Sequence, residues 1–233
     1  ALKNKKINYR IKKIDNAYLG YDISFSDNNF LLRNIKKNSK YITIRKNINF
    51  ISAKLLKKNL ILCRAVGRAE FGARSLGNRS ILANPNKNEL KKEINEKVKG
   101  RDFWMPFAAS VINTRSKDYF KFYSSVNDYQ YMTNCLETNK IGKEKFKAAI
   151  HPYDETCRPQ IVYKDINKDY YNLINCFGKM TGTYGLLNTS FNIHGKPIVN
   201  SAKDAFEVFK KTNLDGLILP NCLILKKENS KYL

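Results

Sequence analysis

The sequence predicts a mixed α/β domain, and three observations point there. Short apolar runs of strand length, such as residues 60–66 (LILCRAV), alternate with amphipathic stretches at helical spacing, such as 202–213 (AKDAFEVFKKTN). Hydrophobic residues make up 42% of the 233, enough to bury the core of one large domain or two small ones. No internal repeat, Pro/Ser-rich linker or apolar run of about 18 residues breaks the pattern, so neither a solenoid nor a membrane-spanning helix is expected.

In order along the chain, residues 1–48 read as a leading linker segment with room for one edge strand in KYITIRKNI, and the body of the domain falls in 49–233. Residues 50–59 (FISAKLLKKN) place apolar side chains at helical spacing, and 60–66 follow as a strand buried on both faces. Residues 84–100 (NPNKNELKKEINEKVKG) read as a helix, with Pro85 near its start, Leu90, Ile94 and Val98 four apart, and Gly100 its stop. PFAASVI (106–112) reads as a strand, SKDYFKFYSS (116–125) as a helix, and YQYMT (129–133) and KAAIH (147–151) as short strands. DYYNLINCFGKMTG (169–182) is a helix closed by Gly182, and YGLLNTSFN (184–192) a strand running into a polar turn. Residues 202–213 form an amphipathic helix, and 214–225 (LDGLILPNCLIL) supply one or two strands.

The chain carries 43 Lys and Arg against 20 Asp and Glu, a net charge of +23. The lysines are scattered, as in NIKKNSKYITIRKNIN, so charge alone leaves a polyanion partner and compositional drift both open. The placing of arginine is more telling, because its planar fork binds phosphate with two bonds. Five isolated cysteines (Cys63, Cys135, Cys157, Cys176, Cys222) have no C-x-x-C spacing, which suggests reduced thiols in a cytoplasmic protein without a zinc site or disulfide frame. Two histidines, His151 and His194, argue against a His-rich metal centre. The first residues, ALKNKKINYR, lack the apolar core of a signal peptide.

Four polar clusters fall at strand ends or turns, where open α/β sheets place their ligands. The first, 67–80, sets Gly67, Gly72 and Gly77 among Arg68, Arg74 and Arg79, with Asn78 beside them. Glycine permits turns closed to other residues and lets backbone N–H groups approach an anion; a basic surface loop is the plainer reading. The second puts Lys99 and Arg101 two apart at the end of a helix, which is either a helix-end charge or a turn aiming both at one anion. In the third, HPYDETCRPQIV (151–162), strand alternation would align Asp154, Thr156, Arg158 and Gln160 on one face, with His151 ahead of them. The fourth, LLNTSFNIHGKPIV (186–199), delivers Asn188, Thr189, Ser190 and Asn192 into a glycine-containing turn. No Walker loop, G-x-G-x-x-G fingerprint or ordered Ser–His–Asp set occurs. Arginines, a lysine, hydroxyls and amides suit phosphoryl or adenylyl chemistry, where the protein positions groups and neutralises charge.

Taken together, the clusters are similar to a known family. GRAEFGARSLGNRSILANP (67–85) resembles the signature G-R-x-E-F-G-P-R-A-L-G-N-R-S-I-L-A-D-P of the NodU/CmcH carbamoyltransferases. INEKVKGRDFWMPFAAS, HPYDETCRPQIV, LLNTSFNIHGKPIV and DGLILPNCLIL resemble its later blocks in the same order, from about LGYDISF near residue 19 onward. The resemblance implies an α/β domain with a YrdC-like twisted mixed β-sheet and flanking helices. It implies that ATP, Mg²⁺ and carbamoyl phosphate serve to make carbamoyl adenylate, whose carbamoyl group passes to a hydroxyl of a sugar, antibiotic or Nod factor. An N-terminal sugar-kinase-like domain, in cis or in trans, would carry the acceptor and metal site. YrdC-like domains carry a K-x-R and an S-x-N pair, matched here by Lys99-Gly-Arg101 and Ser190-Phe-Asn192. The implied catalytic residues are Lys99, Arg101, Arg158, Ser190 and Asn192. Arg68, Arg74, Asn78, Arg79, His151, Thr156 and Asn188 are the implied nucleotide and phosphate binders. Ala73, Ser75 and Met105 stand where the family usually has Pro, Ala and Arg, and PYDET replaces V-D-G-T. A second reading is a basic YrdC-like module that binds RNA or nucleotide without transferring anything.

Overall fold

Strand alternation creates two buried faces. In the computed structural model, which describes residues 15–24, 33, 35, 40–100 and 106–233, Ile81 and Ala83 join one apolar cluster while Leu82 joins the other. Leu187 and Leu186, and Leu217 and Ile218, part in the same way. A strand covered on both sides needs apolar residues at every position, which is why these segments read as unbroken runs.

The strands are β1 (Asp22–Ile23), β2 (Tyr41–Ile44), β3 (Leu62–Ala65), β4 (Gly67–Arg68), β5 (Arg79–Ala83), β6 (Ala108–Ile112), β7 (Leu136–Glu137), β8 (Thr156–Cys157), β9 (Pro159–Val162), β10 (Gly185–Ser190), β11 (Gly216–Leu219) and β12 (Cys222–Lys226). Eight of them form one mixed sheet in the order β2-β12-β11-β3-β5-β10-β6-β9. β11–β3 and β6–β9 are parallel, and the other pairs antiparallel. Tyr41–Ile44 occupies one edge, paired with β12.

Helices α1 (Ile48–Lys57) and α4 (Lys168–Thr181) pack together on one face, burying Leu55, Leu56, Leu173, Ile174 and Phe177. The opposite face receives α2 (Asn88–Ile94) and α5 (Ala202–Lys211) through Leu90, Ile94, Ala205 and Phe209. A short α3 (Lys140–Lys145) lies in the connection between β7 and β8. Helix ends follow local chemistry. Gly182, at φ 74°, closes α4, and a capping box between Ser201 and Asp204 opens α5.

The helix expected over 84–100 forms as α2 and then widens into a π-turn over Asn95–Lys99, closed by Gly100 at φ 50°. Three expected elements are different. Residues 116–125 are not a helix: a 3₁₀ turn (Asn113–Asp118) precedes Tyr119 and Phe120, which are buried with Phe146, the Tyr119 and Phe146 rings 5.0 Å apart. Consecutive buried aromatics at 119 and 120 do not fit a single helical face. Residues 129–133 end a 3₁₀ turn (Val126–Tyr129) and enter a bend, with Met132 at φ 57°. Residues 147–151 begin as a 3₁₀ turn, and only Ile150 pairs, through a single bridge to Cys157. Among the described residues no helix is long and apolar enough to cross a membrane.

Candidate active site

The site is built on the turn between β4 and β5. The chain leaves β3, crosses Gly67 at φ 64° and reaches Glu70. The Glu70 carboxylate Oε1 then accepts the N–H groups of Leu76 (2.7 Å), Asn78 (2.6 Å) and Arg79 (3.1 Å). Ser80 Oγ accepts the N–H of Gly77 (3.0 Å). The turn's own side chains thus take up amides that an anion was expected to use. Gly77 itself is required twice over: its φ is 109°, and a Cβ would stand 2.3 Å from Tyr170.

This folding presents Ala73, Arg74 and Ser75 to a small cleft. Pro106, Ala108, Met132, Arg158, Asn188, Thr189 and Ser190 complete its described lining. β6 and β10 are neighbours in the sheet, and Arg158 comes in just ahead of β9. The charged residues of the described lining are thus both arginines. Burial and then the positive charge of Arg74 push the Arg158 guanidinium below its ordinary pKa. Two like charges facing one small cleft are relieved when an anion enters.

Below the arginines lies a buried amide network. Asn188 Nδ2 donates to Ser110 Oγ (2.8 Å) and to the carbonyl of Ser75 (3.1 Å). Ser110 Oγ donates to Gln160 Oε1 (2.7 Å), and Gln160 Nε2 to the carbonyl of Leu76 (2.7 Å). Such a network fixes the position of the turn relative to the sheet.

At the cleft's other end the π-turn swings Lys99 inward until it is buried. Its Nζ donates toward Ser190 O (2.6 Å), Ser190 Oγ (3.1 Å), Asn192 O (3.1 Å) and Asn192 Oδ1 (2.6 Å). Ser190 Oγ donates to Asn192 Oδ1 (2.7 Å). Lys99, Ser190 and Asn192, far apart in sequence, form one cluster that borders the cleft through Ser190.

The remaining expected site residues lie elsewhere. Arg101, with Met105, falls outside the described residues. Arg79 is fully buried and donates to the carbonyls of Asn200, Val66, Gly67, Asn78 and Tyr21, and burial lowers its pKa to about 10. Asn78 ties Arg64, Asn167 and the Arg68 carbonyl together. Arg68 clasps the carbonyls of Tyr18 and Leu19 from the surface. Of the expected row, Asp154 is lost, because a turn at 152–154 and Glu155 at φ 55° break the alternation ahead of Thr156, whereas Arg158 lines the cleft and Gln160 lies in the network beneath it. Thr156 donates both its N–H and its hydroxyl to Asp154, and His151 Nδ1 lies 3.3 Å from Asp154 Oδ1, among Lys91, Lys143 and Lys147.

Two working residues escaped the sequence reading. Arg64, inside the apolar run of β3, is buried, donates to Gly77 O (2.5 Å) and pairs with Asp169 (2.7 Å). In the sequence Glu70 is marked only by its place between Gly67 and Gly72. A charged residue within a strand of buried type was the available signal for Arg64, since such a charge requires a partner.

The cleft offers hydroxyl and amide oxygens and no carboxylate among its described lining. That donor set does not fit a magnesium ion held by the protein.

Similarity to known proteins agrees with this geometry. The family model described as Carbamoyltransferase C-terminus matches residues 53–226. The "Uncharacterized protein MJ1051" of Methanocaldococcus jannaschii is 35% identical over 97% of this chain and 43% of its own length. The Nodulation protein NolNO of Sinorhizobium fredii is 42% identical over 70% of this chain and 24% of its own. The chain therefore spans less than half the length of these relatives. Full-length HypF, in its phosphate- and nucleotide-bound form, superposes with a TM-score of 0.52 at 18% identity, over 73% of this chain and 24% of HypF. That likeness concerns the fold, which is YrdC-like. On the match over residues 53–226, the chain belongs to the carbamoyltransferase family, as its C-terminal domain.

Proposed function

We propose that this domain makes carbamoyl adenylate from ATP and carbamoyl phosphate, for transfer to a hydroxyl of a sugar or other natural product in the cytoplasm. The observation that carries the reading is the convergence of Lys99, Ser190 and Asn192 beside a cleft whose charged lining is Arg74 and Arg158. A phosphate- and nucleotide-bound relative in fold supports the same ligand class.

Two polyanions must meet here, and their repulsion is the first barrier. Arg74 and Arg158, which face the cleft, offset it. Water attacks the phosphorus of carbamoyl phosphate, the bond from phosphorus to the carbamoyl oxygen breaks, and carbamate leaves as inorganic phosphate forms. A carbamate oxygen then attacks the α-phosphorus of ATP, the bond to the β-phosphate oxygen breaks, and pyrophosphate leaves with the electron pair. Ser190 and Asn188 orient the carbamoyl or ribose oxygens. Lys99 holds Ser190 and Asn192 in place and brings positive charge to the cleft's edge. The family resemblance gives Arg101, the second member of the K-x-R pair, a share in the same chemistry. Magnesium arrives with the nucleotide phosphates as part of the substrate. Arg68, Asn78, Arg79, His151 and Thr156 support the frame instead of touching ligand. The acceptor, and the N-terminal sugar-kinase-like part that would bind it, belong to the longer protein.

Removing one fixed donor of this kind costs about 2.7–4 kcal/mol in a transition state, roughly a hundredfold or more in rate. Lys99→Ala and Arg101→Ala are therefore expected to lower carbamoyl-phosphate-dependent ATP/pyrophosphate exchange at least a hundredfold, with unchanged circular dichroism. Near wild-type exchange in both variants would sink the assignment.

A further inference from the structure

Polar side chains are costly inside a sheet, and three of them meet beneath the cleft. Ser110 (0% exposed), Asn188 (1%) and Gln160 (2%) stand on the adjacent strands β6, β10 and β9. Each must find a partner or lose free energy, and apolar side chains would fill the same place without that demand. The partners they find are one another and two carbonyls of the glycine–arginine turn.

Gln160 lies opposite Ser110 in the β6–β9 register, and its Oε1 accepts the Ser110 hydroxyl (2.7 Å). Its Nε2 then faces the Leu76 carbonyl and donates to it (2.7 Å). The reverse setting of the amide would put two carbonyl oxygens face to face. Leu76 has other anchors as well: its carbonyl accepts the phenol of Tyr18 (2.9 Å), and its N–H goes to Glu70 (2.7 Å). The Leu76 backbone therefore stays satisfied without Gln160, and what Gln160 adds is a tie to β9.

That tie has a particular place. Leu76 stands two residues past Arg74, and Gln160 two residues past Arg158. The bond between them joins the turn that carries one arginine to the strand that follows the other. Both arginines line the cleft, and Arg158 Nε is buried with no hydrogen-bond partner among the described residues. Like charges repel, so the two side chains cannot hold each other in place. Their separation has to be set by the backbones they stand on.

We propose that Gln160 is a positioning residue: its bond to the Leu76 carbonyl sets the spacing of the Arg74 and Arg158 backbones, and with it the affinity of the cleft for a diphosphate. The inference deepens the reading of the cleft as a nucleotide and carbamoyl-phosphate site and rests on it. A diphosphate suits the arrangement because each of its phosphoryl groups can meet one guanidinium fork.

The test titrates inorganic pyrophosphate into the chain by calorimetry at physiological salt, without turnover. The unaltered chain is expected to bind it. Gln160→Met, which keeps the side chain's length, and Arg74→Ala are each expected to weaken binding about tenfold, with circular dichroism unchanged. In the Arg74→Ala background, Gln160→Met is expected to change the affinity little, because its effect passes through that arginine. A purely structural role would lower the melting temperature without this coupling. Gln160→Asn, an amide too short to reach Leu76, carries the same expectation if the Met variant does not fold. Unaltered affinity in a folded Gln160 variant overturns the proposal, and so does an effect of equal size in both backgrounds. Failure of both variants to fold overturns it too, since Gln160 would then serve the fold itself. No binding by the unaltered chain, or binding indifferent to Arg74, would remove the anion cleft as well, whereas binding that needs Arg74 and ignores Gln160 removes this inference alone.

Discussion

Within the glycine–arginine turn, one carboxylate oxygen of Glu70 gathers the N–H groups of Leu76, Asn78 and Arg79, and the loop it closes is the one that carries Arg74 and Ser75 to the cleft. A buried donor left without an acceptor costs about 1–3 kcal/mol. Glu70→Ala, which strands three of them, is expected to lower the melting temperature and to cut ATP/pyrophosphate exchange at least tenfold. Glu70→Gln keeps an oxygen in the same place and is expected to recover most of both losses. Equal behaviour of the two variants would show that the hydrogen bonds are not what matters. The three arginines of the turn look alike in sequence, yet each has a different fate. Arg74 enters the cleft, Arg68 clasps the carbonyls of Tyr18 and Leu19, and Arg79 is buried among carbonyls. Composition cannot separate them. Recognising β5 as a strand could have done so, because Arg79 alternates with Ile81 and Ala83, and both of these belong to the core.

Long elements were readable because burial and periodicity agree. α1, α4, α5, β3, β6, β10 and the closing β11–β12 hairpin all lie where apolar spacing places them. The failures cluster between residues 113 and 157, where short 3₁₀ turns and two-residue strands carry too few residues for any period to show. Aromatic packing, not local propensity, fixes the chain there. A close fit within an element gives a sharper test. Gly178 lies inside α4, and a Cβ there would stand 2.2 Å from the ring of Tyr184. Helix propensity alone favours alanine by about 1 kcal/mol. Overpacking against a ring costs roughly 1–3 kcal/mol. Gly178→Ala is therefore expected to destabilise the domain on balance, measured by urea unfolding, and a stabilised variant would mean that Tyr184 moves aside freely.

Over the whole molecule, the charge of +23 is spread across the chain while the proposed chemistry rests on a few cations at one cleft, from buried Lys99 to exposed Arg74. These two layers separate by salt. Contacts between lysines and a polyanion weaken steeply as ions are added, because bound counterions are released. Fluorescence anisotropy with a single-stranded RNA is expected to show any affinity falling by at least tenfold between 50 and 200 mM salt, and Lys99→Ala is expected to leave it unaltered. RNA binding that resists salt and depends on Lys99 would favour the nucleic-acid module over the adenylating enzyme. The fold class was legible because strand-length apolar runs and amphipathic helices are interspersed along the chain. The pairing of Lys99 with Ser190 and Asn192 was legible only through family likeness, since 91 residues separate the lysine from the serine. Nothing local in a sequence reports a contact across that distance.

The π-turn at Asn95–Lys99 makes the site a matter of phase. Leu90, Ile94 and Val98 recur every four residues, whereas an ideal α-helix turns in 3.6. Continued as a straight helix, that stripe would drift round the axis and carry Lys99 with it. The wider turn, closed by the N–H of Gly100 on the carbonyl of Asn95 (2.7 Å), absorbs the drift. The lysine's address is therefore written as a count of residues as much as a choice of residue. Shortening the segment by one position would leave every site side chain in the protein and point the ammonium at a different neighbour.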